Sequence, residues 1–138
     1  MGSAVPKRID QRLGHMTKAE KAAVTKVETV GDVEVPPADE GWHEIARDWY
    51  ESLPKSGQSR FYEPSDWAAA RYVAAAITKT IDHGRFSANS FAAIWSAMGD
   101  LLTTEGERRR VKLEVERKPA KPQGEPGKVA RLDDYRDL

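Results

Sequence analysis

Residues 49–73 read WYESLPKSGQSRFYEPSDWAAARYV. This stretch holds two of the four tryptophans, three of the four tyrosines and one of the three phenylalanines, around a Pro-Lys-Ser-Gly turn. Aromatic side chains bury large areas and dominate small cores. Their concentration beside turn residues predicts the end of one helix, a packed loop and the start of another.

Working upstream, Trp42, Ile45, Ala46, Trp49 and Leu53 recur at helical spacing. Pro54 ends that stripe, and Asp39, just after Pro36-Pro37, is the expected N-cap. Downstream, Pro64 to Asp66 suits a helix start, with proline in the first turn and acids at the positive pole of the dipole. Trp67, Ala70, Ala74, Ile77 and Ile81 give this second helix its apolar stripe. Ala68, Ala69, Ala75 and Ala76 leave its other sides open to close approach. Gly84 is the expected C-terminal cap. Ser87 then caps a third helix striped by Phe91, Ile94, Trp95, Met98, Leu101 and Leu102. The fold class is mainly α, a three-helix core domain. Val111, Leu113 and Val115 alternate with charges after it, which suggests a short C-terminal β-strand, with a helical continuation left open.

The flanks differ in composition. Thr17-Lys-Ala-Glu20 is a capping box opening a short helix over 17–28, poor in large apolar residues and marginal alone in water. Val27 to Val35 alternates valine with charge, an extended pattern. Lys118 to Lys128 is a Pro, Gly, Lys and Gln linker. Val129, Leu132, Tyr135 and Leu138 regain an apolar face at nearly helical spacing. These divisions give a basic N-terminal arm (1–35), a helical core and oligomerisation domain (36–117), a linker (118–128) and a C-terminal docking peptide (129–138).

With 138 residues the chain is sized for one domain. Its formal net charge is zero, so local surpluses matter more than the global field. Residues 1–28 carry six Lys/Arg against three acids, 29–45 carry five acids and no Lys or Arg, and 107–118 carry six Lys/Arg against three Glu. Two basic blocks flank an acidic one, and such blocks bind phosphate even in a neutral chain. The absence of cysteine excludes thiol catalysis and agrees with a reducing compartment. No apolar run approaches the ~20 residues of a membrane span, and no signal peptide opens the chain.

Catalytic tools are sparse. His15, His43 and His83 are scattered, Asp39-Glu40 and Asp133-Asp134 are merely adjacent, and no phosphate-binding glycine loop exists. No metal site or cofactor is expected. Arg108, Arg109 and Arg110 with Lys112, and Lys7, Arg8, Arg12, Lys18, Lys21 and Lys26 in the arm, admit two readings: solvated charge or phosphate contact. Trp42, Trp49, Trp67 and Trp95 all lie on helical stripes, so core packing is expected of them rather than base stacking. Val111, Leu113 and Val115 exceed what three helices can bury and are expected at a subunit interface.

The segments DEGWHEIARDWYESL, SGQSRFYEPSDW and LLTTEGERRRVKLEV resemble, in wording and order over about residues 36–115, the small subunits of phage DNA-packaging terminases, especially those of actinobacteriophages. The resemblance implies a non-catalytic subunit that recognises double-stranded viral DNA, assembles as a homo-oligomeric ring and recruits a large ATPase and nuclease subunit in the host cytoplasm. It makes the large subunit the natural partner of the docking peptide. Many such proteins carry an N-terminal helix-turn-helix. Here one short helix precedes the prolines, and about ten loop residues separate the two central helices, more than the 3–4-residue turn of that motif. DNA contact through basic arms and the arginine run is expected instead. The alternative from the residues alone is a small helical adaptor without a DNA role.

Overall fold

A computed structural model describes residues 5–8, 14–85 and 87–120. Among them the chain forms five α-helices and no strand: α1 (Lys18–Ala22), α2 (Glu44–Ser52), α3 (Pro64–Asp82), α4 (Ala88–Asp100) and α5 (Glu105–Arg110). Two 3-10 turns, Leu53–Lys55 and Gly57–Phe61, fill the connection between α2 and α3.

The aromatic stretch is the centre of the core. Trp49, Tyr50, Leu53, Tyr62 and Trp67 are buried with Ala46, Ala70, Val73, Ala74, Ile77 and Leu101. Edge-to-face pairs join Trp42 to Tyr50 at 5.2 Å, Tyr50 to Trp67 at 5.8 Å and Tyr62 to Trp67 at 5.2 Å. Each such pair contributes about 0.5–1.5 kcal/mol beyond the area it buries. Three aromatic polar ends find partners in the core. The Tyr50 hydroxyl donates to the Pro36 carbonyl at 2.7 Å, Trp49 Nε1 donates to Thr103 Oγ1 at 3.2 Å, and the Tyr62 hydroxyl donates to the Leu101 carbonyl. The first of these ties the incoming chain to the core, and the other two tie the end of α4.

Helix α3 is the central element, with α2 and α4 both packed on it. Pro64 occupies its first turn, and the Glu63 amide donates to Asp66 Oδ2 at 2.8 Å, half of a capping box. Gly84 follows its end at φ +63°, in the left-handed region that glycine enters at no steric cost. Ser87 caps α4 as expected, its Oγ accepting from the Ser90 amide at 3.3 Å.

Four expectations need correction. Helix α1 stops at Ala22 rather than Glu28. Its capping box forms, but Val24, Thr25 and Val27 are β-branched and stiff at χ1, and no buried face offsets that. Asp39 does not cap α2. Its Oδ1 accepts from the Gly41 amide at 2.7 Å in a local turn, while His43 Nδ1 caps the helix by accepting from the Ile45 amide at 3.1 Å. The suggested strand is absent: Val111 and Lys112 form a turn, and Leu113 onward is irregular. Finally, Trp95 is not core, being 52% exposed, whereas Trp49 and Trp67 are buried and Trp42 packs half-buried on them.

The region after α4 also holds an unexpected fifth helix. Leu102 ends α4 at φ +57° and Lys112 ends α5 at φ +56°. In each, paired amide-to-carbonyl bonds close the helix: Leu102 to Gly99 and Thr103 to Met98, then Lys112 to Arg109 and Leu113 to Arg108. That is the Schellman arrangement built on residues other than glycine, at a cost of about 1–2 kcal/mol each.

Candidate nucleic-acid interface

The arginine run lies on α5, at the negative pole of its dipole. Its three side chains are not equivalent. Arg108 is 18% exposed and turns inward, donating from Nη1 to the carbonyls of Leu102 at 3.1 Å and Thr103 at 3.0 Å. It therefore braces the left-handed turn at Leu102. Arg109 and Arg110 point outward, at 75% and 66% exposure. Arg109 pairs with Glu105 at 2.9 Å and Arg110 with Glu107 at 3.2 Å. Exposed pairs like these are worth about 0–1 kcal/mol, so a phosphate can displace them.

A second cationic group comes from residues far apart in sequence. Lys55, Arg60, Arg117 and Lys118 surround an open depression of about 560 Å³ beside the 3-10 turns. What assembles it is the packing of Val115 against Gly57, where an added Cβ would meet Val115 Cγ1 at 2.7 Å. Arg117 then donates from Nη2 to the Lys55 carbonyl at 3.2 Å. A neighbouring depression, lined by Arg109 and Lys112 with Glu105, Glu114 and Glu116 between them, shares Val115 and Glu116 with it. The two groups of cations thus border one another along residues 115–116.

The arm contributes at one point. The Arg8 guanidinium lies 5.0 Å from the Phe61 ring centroid and that of Arg60 lies 5.1 Å from it. Phe61 thereby holds Arg8 of the arm beside Arg60 of the Lys55 group through cation–π attraction. Lys7 is half-buried, and Lys18, Lys21 and Lys26 are exposed on or after α1, which buries no residue. Arg12 lies outside the described residues, as do Val129, Leu132, Tyr135 and Leu138.

The core beside these cations contains one strongly perturbed group. Burial first, and the Asp66 carboxylate second, push the Tyr62 hydroxyl up to about 12. Burial likewise raises Tyr50. Both phenols serve as hydrogen-bond donors to backbone carbonyls, so neither is placed for proton transfer. Among the described residues no group of three or more His, Asp or Glu could hold a metal ion, and no helix is long and apolar enough to cross a membrane.

A family model of the phage terminase small subunit matches residues 1–138. The chain belongs to that family. It is also 40% identical over 97 residues to the Gene 5 protein of Mycobacterium phage L5, a match covering 67% of this chain and 61% of that protein, less than two thirds of its length. It is 32% identical over 146 residues to the Gene 5 protein of Mycobacterium phage D29, covering 97% and 92% respectively. No solved structure matches it. As a terminase small subunit the chain has a role in phage DNA packaging, in a family whose members are generally non-catalytic regulatory subunits.

Sequence reasoning located the arginine run of this terminase small subunit but missed Lys55, Arg60, Arg117 and Lys118 as one group. Lys55-Ser56-Gly57 reads as a turn and nothing more. The available signal was Gly57 itself, a residue without a side chain at the one place where the C-terminal segment closes on the loop.

Proposed function

We propose that this chain is the DNA-recognition subunit of the packaging terminase, binding double-stranded viral DNA, assembling as a homo-oligomeric ring and recruiting the large subunit in the host cytoplasm, without catalysis of its own. The observation that carries the reading is the belt of outward cations running from Arg109 and Lys112 across Val115–Glu116 to Lys55, Arg60, Arg117 and Lys118. Its charges come from α5, the 3-10 turns and the C-terminal segment, which meet along residues 115–116 with Glu105, Glu114 and Glu116 interleaved. Repetition around a ring multiplies an electrostatic site of this kind. Lys7, Arg8, Arg12, Lys18, Lys21 and Lys26 extend it as an arm over the DNA backbone. The division into arm, core, linker and docking peptide follows the same logic, with Val129, Leu132, Tyr135 and Leu138 meeting the large subunit. Val111, Leu113 and Val115 serve as a minor subunit contact through the surface they keep exposed.

Neutralising Lys55, Arg60, Arg117 and Lys118 to glutamine tests the reading. Binding to duplex DNA should weaken for every sequence tried. The slope of log affinity against log salt should flatten by about 0.9 for each phosphate that the variant no longer neutralises. Unchanged affinity and slope would remove the belt from DNA binding and leave the chain as an interaction module.

A further inference from the structure

Between α2, α3 and α4 the chain leaves an apolar groove of about 490 Å³ at the edge of the core. Ile45, Ile77, Ile81, Ile94, Trp95 and Met98 are among its walls. Ile45 is 59% exposed and Trp95 52% exposed, and α4 has no fully buried residue along its length. The one charged side chain in the lining is a cation, Arg85. An apolar groove of this size on a small domain marks a docking site.

The same chain carries a segment with the complementary character. From Val24 to Val35 the described backbone is irregular, and no hydrogen bond ties it to the rest of the described chain. Val24, Val27, Val30 and Val33 recur every third residue, and each is exposed, Val30 fully. Three-residue spacing sets side chains on one edge of an extended, polyproline-type helix, and Pro36-Pro37 follow directly. The charges interleaved with them are Lys26, Glu28, Asp32 and Glu34, an acidic excess that suits Arg85. No residue of 24–35 lines the groove of its own chain. The segment leaves the core at Pro36, where the Tyr50 hydroxyl holds the carbonyl.

We propose that the groove between α2, α3 and α4 receives the valine segment Val24–Val33 of a neighbouring copy of this chain. The inference rests on the oligomeric reading above and gives it a principal contact. The contact is heterologous, groove to arm, so head-to-tail repetition builds a ring where the rotation closes.

The test uses the full-length chain, which has no cysteine of its own. Val30→Cys combined with Ile81→Cys, oxidised with diamide, should yield a ladder of covalently linked subunits on a denaturing gel. Val30→Cys with Ser65→Cys, at the far end of α3, should stay unlinked. In a separate variant, Val27→Asp with Val30→Asp should raise the concentration at half-assembly at least tenfold with helical content unchanged, because both side chains are exposed in the single chain. An assembled oligomer that forms no link, links only within one chain, or links Ile81→Cys to Leu132→Cys instead would overturn the arm contact and leave the oligomer standing. A chain that sediments as a monomer at all concentrations would remove both.

Discussion

At the scale of single residues, Tyr62 sets the alkaline limit of the fold. A phenol held at about 12 when folded and at ~10 when unfolded stabilises the protein only while protonated. Its contribution is complete below pH ~10 and is lost, to the extent of about 2–3 kcal/mol, as pH rises towards 12. Tyr62→Phe should cost about 1–2 kcal/mol at pH 8, because the Leu101 carbonyl loses its donor. The gap from wild type should then close at high pH, as denaturant midpoints between pH 8 and 12 will show. Lys112 separates stability from function. Lys112→Gly relieves its left-handed backbone and should stabilise the domain by about 1 kcal/mol, yet weaken DNA binding by removing a cation from the belt. Within the arginine run the roles divide similarly. Arg108→Gln strips donors from the Leu102 and Thr103 carbonyls and should destabilise by about 2 kcal/mol. Arg109→Gln with Arg110→Gln should change stability by less than about 1 kcal/mol while lowering DNA affinity. Thermal melts alongside binding curves distinguish these outcomes.

At the scale of elements, the contact between Gly57 and Val115 couples the 3-10 turns to the C-terminal segment. Gly57→Ala forces Val115 aside and should cost about 1–3 kcal/mol, loosening Arg117 and Lys118 and weakening DNA binding with them. Val115→Ala in the same chain should restore most of both. This contact also explains what could be read from sequence and what could not. Helices α2, α3 and α4 were legible because their stripes and their proline, glycine and serine boundaries agree with one another. The end of α1 was not, since its capping box predicts a start while nothing in it buries a face to sustain length. Val111, Leu113 and Val115 alternate like a strand, but no partner edge exists among the described residues, and the segment instead folds over a glycine. The belt was illegible for a related reason: Lys55 and Arg117 stand 62 residues apart, and only the packing of the chain brings them together. Trp95 shares a stripe with core residues, yet at the edge of the helical layer it and Phe91 stack on each other, both about half exposed.

At the scale of the whole molecule, a neutral chain presents three unlike surfaces: a cationic belt, an apolar groove and an acidic valine arm. A single copy leaves the last two unsatisfied, and the proposed assembly would join them while repeating the belt around the particle. The most direct test is sedimentation of the full-length chain at physiological salt, with and without a duplex of viral DNA. The account predicts a particle of several times the 15.4 kDa chain mass that moves to still higher mass when the duplex is added. A 15.4 kDa species that sediments unchanged in the presence of DNA would contradict it.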